Sequence, residues 1–202
     1  MFGLTPIEFR LLRRLVSPAQ VQDFLNTIPI RGSGGDRCRS PRLVLRERSA
    51  HCVEGALLGA LALRLQGRPP LLLDLRANRR DYDHVVALFR ERGAWGAVSH
   101  TNHAVLRYRE PIYRSIRELA LSYFHEYFTN DGRKNLRNFS RPFNLSRFDR
   151  RGWATAEKDI WYVPEALDRV KHYTILTPAM VRSLRRADAI EIKAGKLKVW
   201  PR

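Results

Sequence analysis

Two residues in the first half of the chain have the types and spacing needed for nucleophilic chemistry. Cys52 lies at the start of an apolar segment with helical periodicity that continues to about Gln66. His84 follows at the start of a predicted strand. A cysteine beside a histidine base is the pairing that attacks carbonyl carbon in acyl transfer. The pattern therefore predicts a nucleophile at Cys52 and its general base at His84.

The start of the apolar helix is the expected environment of the thiol. Ser49 is the predicted N-cap, which places Cys52 in the first turn of a helix over residues 50–66. The positive end of a helix dipole and the unpaired backbone N–H groups there stabilise a thiolate and can later receive an oxyanion. We therefore expect a lowered pKa for Cys52.

A third side chain is needed to orient the imidazole. The strand predicted after that of His84 ends at Ser99, and Asn102 follows in the next loop. Both are candidates, while Asp81 and Asp83 are alternatives if the preceding turn folds back. Asp83 ranks lower because it adjoins His84 in a strand and should face the other way. The predicted catalytic set is thus Cys52, His84, Ser99 and Asn102.

The remaining pattern indicates the elements that hold these residues. The helix over 50–66 is nearly apolar around its circumference, so it should be central and buried. Further predicted elements are helices within 5–28, strands over 71–75, 84–89, 95–99 and 102–108, helices over 111–128, 164–172 and 178–186, and a hairpin over 189–200, with a loop over 31–42 and an irregular segment over 133–153. We expect one α+β domain over residues 1–202, in which the central helix packs on an antiparallel sheet with flanking helices.

Three blocks of sequence resemble the transglutaminase-like superfamily, which has a papain-type Cys–His–Asp core. They are Cys52-Val53-Glu54-Gly55-Ala56, Asp83-His84-Val85 and Trp95-Gly96-Ala97-Val98. The resemblance covers residues 45–105, with helices over 5–28 before this core and an extension over 111–202 after it. The longer pattern is also similar to a bacterial group that carries the core, in the blocks 50–56, 106–111 and 117–124.

The resemblance implies a cytoplasmic thiol hydrolase or acyltransferase that acts on an amide or ester without a cofactor. Its substrate would be a peptide or a group derived from a protein. One position departs from the family, because Ser99 stands where its members end the third strand with an aspartate. A serine hydroxyl accepts the imidazole N–H but brings no charge to stabilise an imidazolium. A binding module with a decayed catalytic site is therefore the alternative.

The charge and composition of the chain restrict the other classes of function. The chain carries 37 Lys and Arg against 20 Asp and Glu, a net charge of +17, which makes nucleic acid or another polyanion an alternative partner. We favour it less because the basic residues are spread along the chain. No apolar run approaches the roughly 20 residues of a membrane span, and no secretory signal is evident, so a cytoplasmic protein is expected. We expect no metal site at the polar residues Asp81, Asp83, His84, His100 and His103.

Overall fold

A computed structural model describes residues 2–30 and 37–199 of the chain. The helices are α1 (Pro6–Arg13), α2 (Pro18–Asn26), α3 (Pro41–Glu47), α4 (Cys52–Leu65), α5 (Ile116–Ser122), α6 (Tyr162–Asp168), α7 (Pro178–Arg182) and α8 (Ala189–Gly195). The strands are β1 (Leu71–Ala77), β2 (His84–Glu91), β3 (Ala94–Ser99), β4 (Arg109–Tyr113), β5 (Leu136–Ser140), β6 (Phe143–Asn144) and β7 (His172–Thr174). Two 3₁₀ helices cover Phe124–Glu126 and Leu145–Arg151. The fold is α+β, as expected.

One antiparallel sheet organises the chain. Its strand order is β4-β3-β2-β1-β5-β7, and β6 pairs with β1. Side chains alternate between its two faces. Val85 and Ala87 of β2 belong to the apolar cluster that includes α4, whereas Val86 and Leu88 pack with residues of α5 on the opposite face. The sheet therefore separates two layers of core.

Helix α4 is the centre of the larger cluster. Its residues from Glu54 to Leu63 are all buried, because strand β2 covers one side and α1, α2 and α3 cover the others. The expectation of a central buried helix is confirmed. The predicted N-cap at Ser49 is wrong, since the N-cap is His51 and Cys52 is the first helical residue. The carboxylate of Glu54 accepts the His51 backbone N–H at 2.9 Å and sets the boundary there.

Tertiary pairing overrides several local predictions in the second half. The helix expected over 111–128 is wrong, because β4 pairs with β3 and the helix begins only after the cap at Ser115. The strand expected over 102–108 lies instead at β4. The irregular segment over 133–153 contributes β5 and β6 to the sheet, and the segment over 164–172 is divided between α6 and β7. The expected hairpin at the end is helix α8, which has its N-cap at Asp188. Part of the expected loop, residues 31–36, lies outside the described residues.

A buried ion pair connects the segment before α3 to the start of α4. Arg39 and Glu54 are both fully buried, and the guanidinium Nη2 lies 2.7 Å from the carboxylate Oε2. The Arg39 backbone N–H also donates to Glu54 at 2.8 Å. Burial alone would raise the pKa of Glu54, but these hydrogen bonds outweigh burial and hold that pKa below its usual range. The pair therefore stays ionised and anchors the first turn of α4.

Within the described ranges, no helix combines the length and apolar character needed to cross a membrane.

Removal of the Glu54 carboxylate should destabilise the fold strongly. The variant Glu54→Ala removes the buried one of the two carboxylates that pair with the Arg39 guanidinium and leaves only the partly exposed Glu47. Loss of a buried partner typically costs about 3–5 kcal/mol of the free energy of unfolding. The matched control is Glu157→Ala, which breaks the exposed pair with Arg46 and should cost about 1 kcal/mol or less. Urea denaturation measures both values. Equal losses in the two variants would contradict the role assigned to the buried pair.

Candidate active site

The Cys52 thiol lies at the N-terminus of α4, among backbone N–H groups. Cys52 is half-buried at the first position of α4, and its own N–H and that of Val53 have no partner within the helix. The backbone N–H groups of Val85, Val53 and Cys52 itself act to lower the pKa of the thiol. This arrangement resembles the set of donors that stabilises an oxyanion beside a nucleophile.

The thiol is nevertheless protonated at neutral pH. Burial raises the pKa of Cys52 above its ordinary value, and the nearby Asp74 carboxylate raises it further. The three backbone N–H groups act in the opposite direction but do not overcome burial. The expectation of a lowered pKa is therefore wrong, because loss of hydration destabilises the thiolate more than the helix terminus stabilises it.

His84 forms a hydrogen bond with the serine at the end of β3. Its Nε2 lies 2.8 Å from Ser99 Oγ, and that hydroxyl donates to the Leu106 carbonyl at 2.6 Å. Because the hydroxyl proton is used on Leu106, Nε2 must donate its own proton to Ser99. The lone pair is then on Nδ1, which is therefore the ring nitrogen able to accept a proton.

The imidazole is neutral at physiological pH. Burial lowers the pKa of His84 to about 4, and the neighbouring His100 and Arg109 add to the effect. The Leu106 carbonyl opposes it. A neutral ring is competent to accept a proton, but Ser99 provides no negative charge to hold the imidazolium that would result.

Cys52 and His84 lie on opposite faces of the sheet at the start of β2. His84 pairs with Leu75 and shares the face that α5 covers, whereas α4 packs on the opposite face. Strand β3 ends at the pair between Ser99 and Val86, so it does not cover the first two residues of β2. The Val85 N–H directed at Cys52 belongs to this uncovered end. Among the residues that the structure describes, no hydrogen bond joins the sulfur to the ring.

Gln22 forms two hydrogen bonds with the backbone of Ser99. Its Oε1 accepts the Ser99 N–H and its Nε2 donates to the Ser99 carbonyl, both at 2.8 Å, so the amide continues the hydrogen-bond ladder of the sheet edge. Gln22 is buried in α2, far from Ser99 in the sequence. Nothing in the local pattern of α2 indicates this contact, and sequence reasoning missed it.

The two aspartates considered as alternatives are engaged elsewhere. The bond that Asn102 accepts from the Val199 N–H involves its backbone carbonyl, so a role of the Asn102 side chain stays a prediction. Asp83 accepts the Ala77 N–H at 2.8 Å, and Asp81 accepts hydrogen bonds from Tyr82 N–H and the Asn135 side chain. The His84 ring is therefore oriented by Ser99, one of the two candidates favoured from the sequence.

The remaining histidines of this region have separate environments. His100 packs against Gly55, where a Cβ would lie 2.3 Å from the His100 Cβ, so α4 can approach the end of β3 only through a glycine. Burial lowers the pKa of His100 to about 4, against backbone carbonyls that raise it. His103 Nδ1 lies 2.9 Å from the Gly195 carbonyl. These contacts hold the loop after β3 against α4 and α8.

Three carboxylates converge at the turn between β1 and β2, and an arginine lies among them. Ligand oxygens of Asp74, Asp83 and Asp168 lie within 4.8 Å of one another. The Arg76 guanidinium lies 3.1 Å from Asp168 and 3.6 Å from each of the other two. Asp74 also bonds His172 Nε2 at 2.9 Å. Sequence reasoning missed this cluster because its members come from β1, the turn before β2, α6 and β7.

Alkylation of Cys52 should require alkaline pH. In a Cys38→Ala background, the rate with iodoacetamide should still be rising at pH 9, because the raised pKa keeps the thiol protonated. The further variant His84→Ala should leave this profile in place, since the resting thiol is not ion-paired with the imidazole. A rate that reaches its plateau below pH 7 and loses that plateau on His84→Ala would refute this description.

Stability should fall in acid because of the two buried imidazoles. His84 and His100 stay neutral in the folded protein down to about pH 4, whereas in the unfolded chain each binds a proton near pH 6.5. Between these values the unfolded chain binds more protons, so unfolding becomes easier as the pH falls. Each histidine contributes a slope of up to about 1.4 kcal/mol per pH unit. Denaturation curves of His84→Gln and His100→Gln should each show a shallower slope, and exposed His125→Gln should not.

Comparison of the chain with models of protein families gave no match, and comparison with curated proteins gave none either.

Proposed function

We propose that the protein is a thiol hydrolase or acyltransferase of the transglutaminase-like type, acting on an amide or ester. One observation carries the proposal: Cys52 is the first residue of α4, where backbone N–H groups, one of them from Val85 next to His84, act to lower the pKa of its thiol. The donors suit a tetrahedral oxyanion, and the neighbouring histidine suits proton transfer. The fold class and the order helix, strand, strand, strand agree with the family core.

The proposed reaction starts from two neutral groups. As the Cys52 sulfur bonds the carbonyl carbon of the substrate, its proton passes to His84 Nδ1. The carbonyl oxygen becomes an oxyanion and accepts hydrogen bonds from the backbone N–H groups. The imidazolium then returns the proton to the departing amine or alcohol, which leaves a thioester on Cys52. Water or an amine attacks this thioester, releases the product and restores the thiol.

The step that limits this reaction is proton acceptance by His84. The side chain must bring Nδ1 to the sulfur around the uncovered end of β2, and catalytic hydrogen bonds are often long before substrate binds. The low pKa of His84 makes the imidazolium costly, and Ser99 does not offset that cost with a charge. We therefore propose a slow enzyme whose site gains its full geometry only with its own substrate.

A second candidate is a non-catalytic binding module that retains the family core. The raised pKa of Cys52 and the placement of Cys52 and His84 on different sides of β2 favour it. The two candidates differ in one observable property. The enzyme forms a covalent acyl intermediate on Cys52, whereas the binding module does not.

An acyl-trapping experiment separates the two candidates. The protein is incubated with the activated ester p-nitrophenyl acetate at pH 8, and intact mass spectrometry detects an acetyl group on Cys52. We expect the adduct in the wild type and in Cys38→Ala, which removes a buried thiol, but not in Cys52→Ala. His84→Ala should slow both its formation and its release. Equal acylation of the two cysteine variants, or no effect of His84→Ala, would overturn the proposal.

Substitution of Ser99 tests the role of the orienting group. Ser99→Ala removes the acceptor for Nε2–H, so we expect the rate of acylation to fall about tenfold or more while the fold is retained. Ser99→Asp supplies a negative charge and should raise the pKa of His84 from about 4, as measured by NMR titration. A rate and a His84 pKa that are unchanged in both variants would exclude Ser99 as the orienting group.

A further inference from the structure

A cleft beside the turn between β1 and β2 is lined by positively charged side chains. Its volume is about 320 Å³. The cationic side chains of its lining are Arg80, Arg133, Lys134, Arg137, Arg185 and Arg186, and no carboxylate lines it.

Only two of the six cations are paired with a carboxylate in the described part of the chain. Arg133 is paired with Asp131 at 3.0 Å, and Arg185 with Asp188 at 2.5 Å. The other four cations have no ion pair with any residue that the structure describes. Positive charges held together in this way repel one another, and a bound anion relieves that repulsion.

Arg137 is the most constrained of the four. Its Nη1 donates to the carbonyls of Lys134 and Leu136, both at 2.9 Å, which fixes the plane of the guanidinium. Its other donors, on Nε and Nη2, have no partner among the described residues. Burial lowers the pKa of Arg137, and no acidic neighbour offsets this cost. A fixed, partly desolvated guanidinium with a free edge matches two oxygens of a phosphate group.

The floor of the cleft is also fixed. Asn78 Nδ2 donates to Asn135 Oδ1 at 2.9 Å, and the Asn78 backbone N–H donates to the Asn135 carbonyl at 3.0 Å. Asn135 is fully buried. The cations are thus arranged around a rigid polar base rather than on a surface of independent side chains.

We infer that this cleft binds the phosphate group of a small molecule, with Arg137 as the central contact and Arg80, Lys134 and Arg186 around it. The volume suits one phosphate or diphosphate with a small substituent. The site is separate from the chemistry proposed at Cys52 and does not depend on it. It also revises the interpretation of the net charge, since part of that charge serves one site rather than a polyanion along the whole surface.

Calorimetric titration with inorganic phosphate and with pyrophosphate tests the inference, at an ionic strength held constant with sodium chloride. We expect saturable binding with one site per chain, tighter for pyrophosphate. Arg137→Lys keeps the charge but loses the paired donors, and it should weaken binding about tenfold or more. Arg186→Ala, at an exposed position, should also weaken binding without loss of folding. Arg10→Ala, an exposed arginine on α1, is the matched control and should bind as the wild type does.

Three results would overturn the inference. One is the absence of saturable binding by either anion in the folded wild type. Another is an equal loss in Arg186→Ala and Arg10→Ala, which would indicate unspecific attraction to net charge. The last is binding of a single-stranded oligonucleotide without binding of pyrophosphate, which would make the surface a nucleic-acid interface. Cys52→Ala should bind pyrophosphate unchanged, so this result stays distinguishable from failure of the proposed enzyme.

Discussion

The buried contact between Arg39 and Glu54 determines where the central helix begins, and the candidate site depends on that position. Glu54 holds the His51 N–H and the backbone and guanidinium of Arg39 at once. Cys52 is therefore the first residue of α4, where its own N–H and that of Val53 are free to face its sulfur. A start two residues earlier, with the cap at Ser49 as expected from the sequence, would have bonded the Val53 N–H to the Ser49 carbonyl within the helix.

The electrostatics of the site follow from burial more than from the helix terminus. Near a helix N-terminus the dipole contributes about 0.3–1 kcal/mol, whereas desolvation of a buried charge costs several kcal/mol. The result is a neutral thiol and a neutral imidazole rather than an ion pair. The reaction proposed for this site would depend on charge that appears only in the transition state, and the backbone N–H groups at the start of α4 are the donors available to it.

Arginine has two different roles in this chain. Arg39 and Arg76 lie among carboxylates and hold segments of the fold together, and their charge is compensated within the protein. Arg137 and Arg186 lie in a cleft without acidic neighbours, where their charge is directed to solvent or to a ligand. The net charge of +17 thus includes both arginines paired within the fold and arginines without an acidic partner in the described structure. Only arginines of the second kind are available to bind an anion.

Short-range sequence patterns predicted part of the fold and of the candidate site. The apolar circumference of α4, the apolar runs of β2 and β3, and the serine at the end of β3 are all evident from neighbouring residues. These elements supplied Cys52, His84 and Ser99. The contacts that orient these residues join segments distant in the chain, as Gln22 does with Ser99, and no periodicity encodes them. The same holds for β5, whose strand conformation depends on pairing with β1. Tertiary structure also decided the protonation of the thiol, because burial is a property of the packed core and not of the spacing of residues.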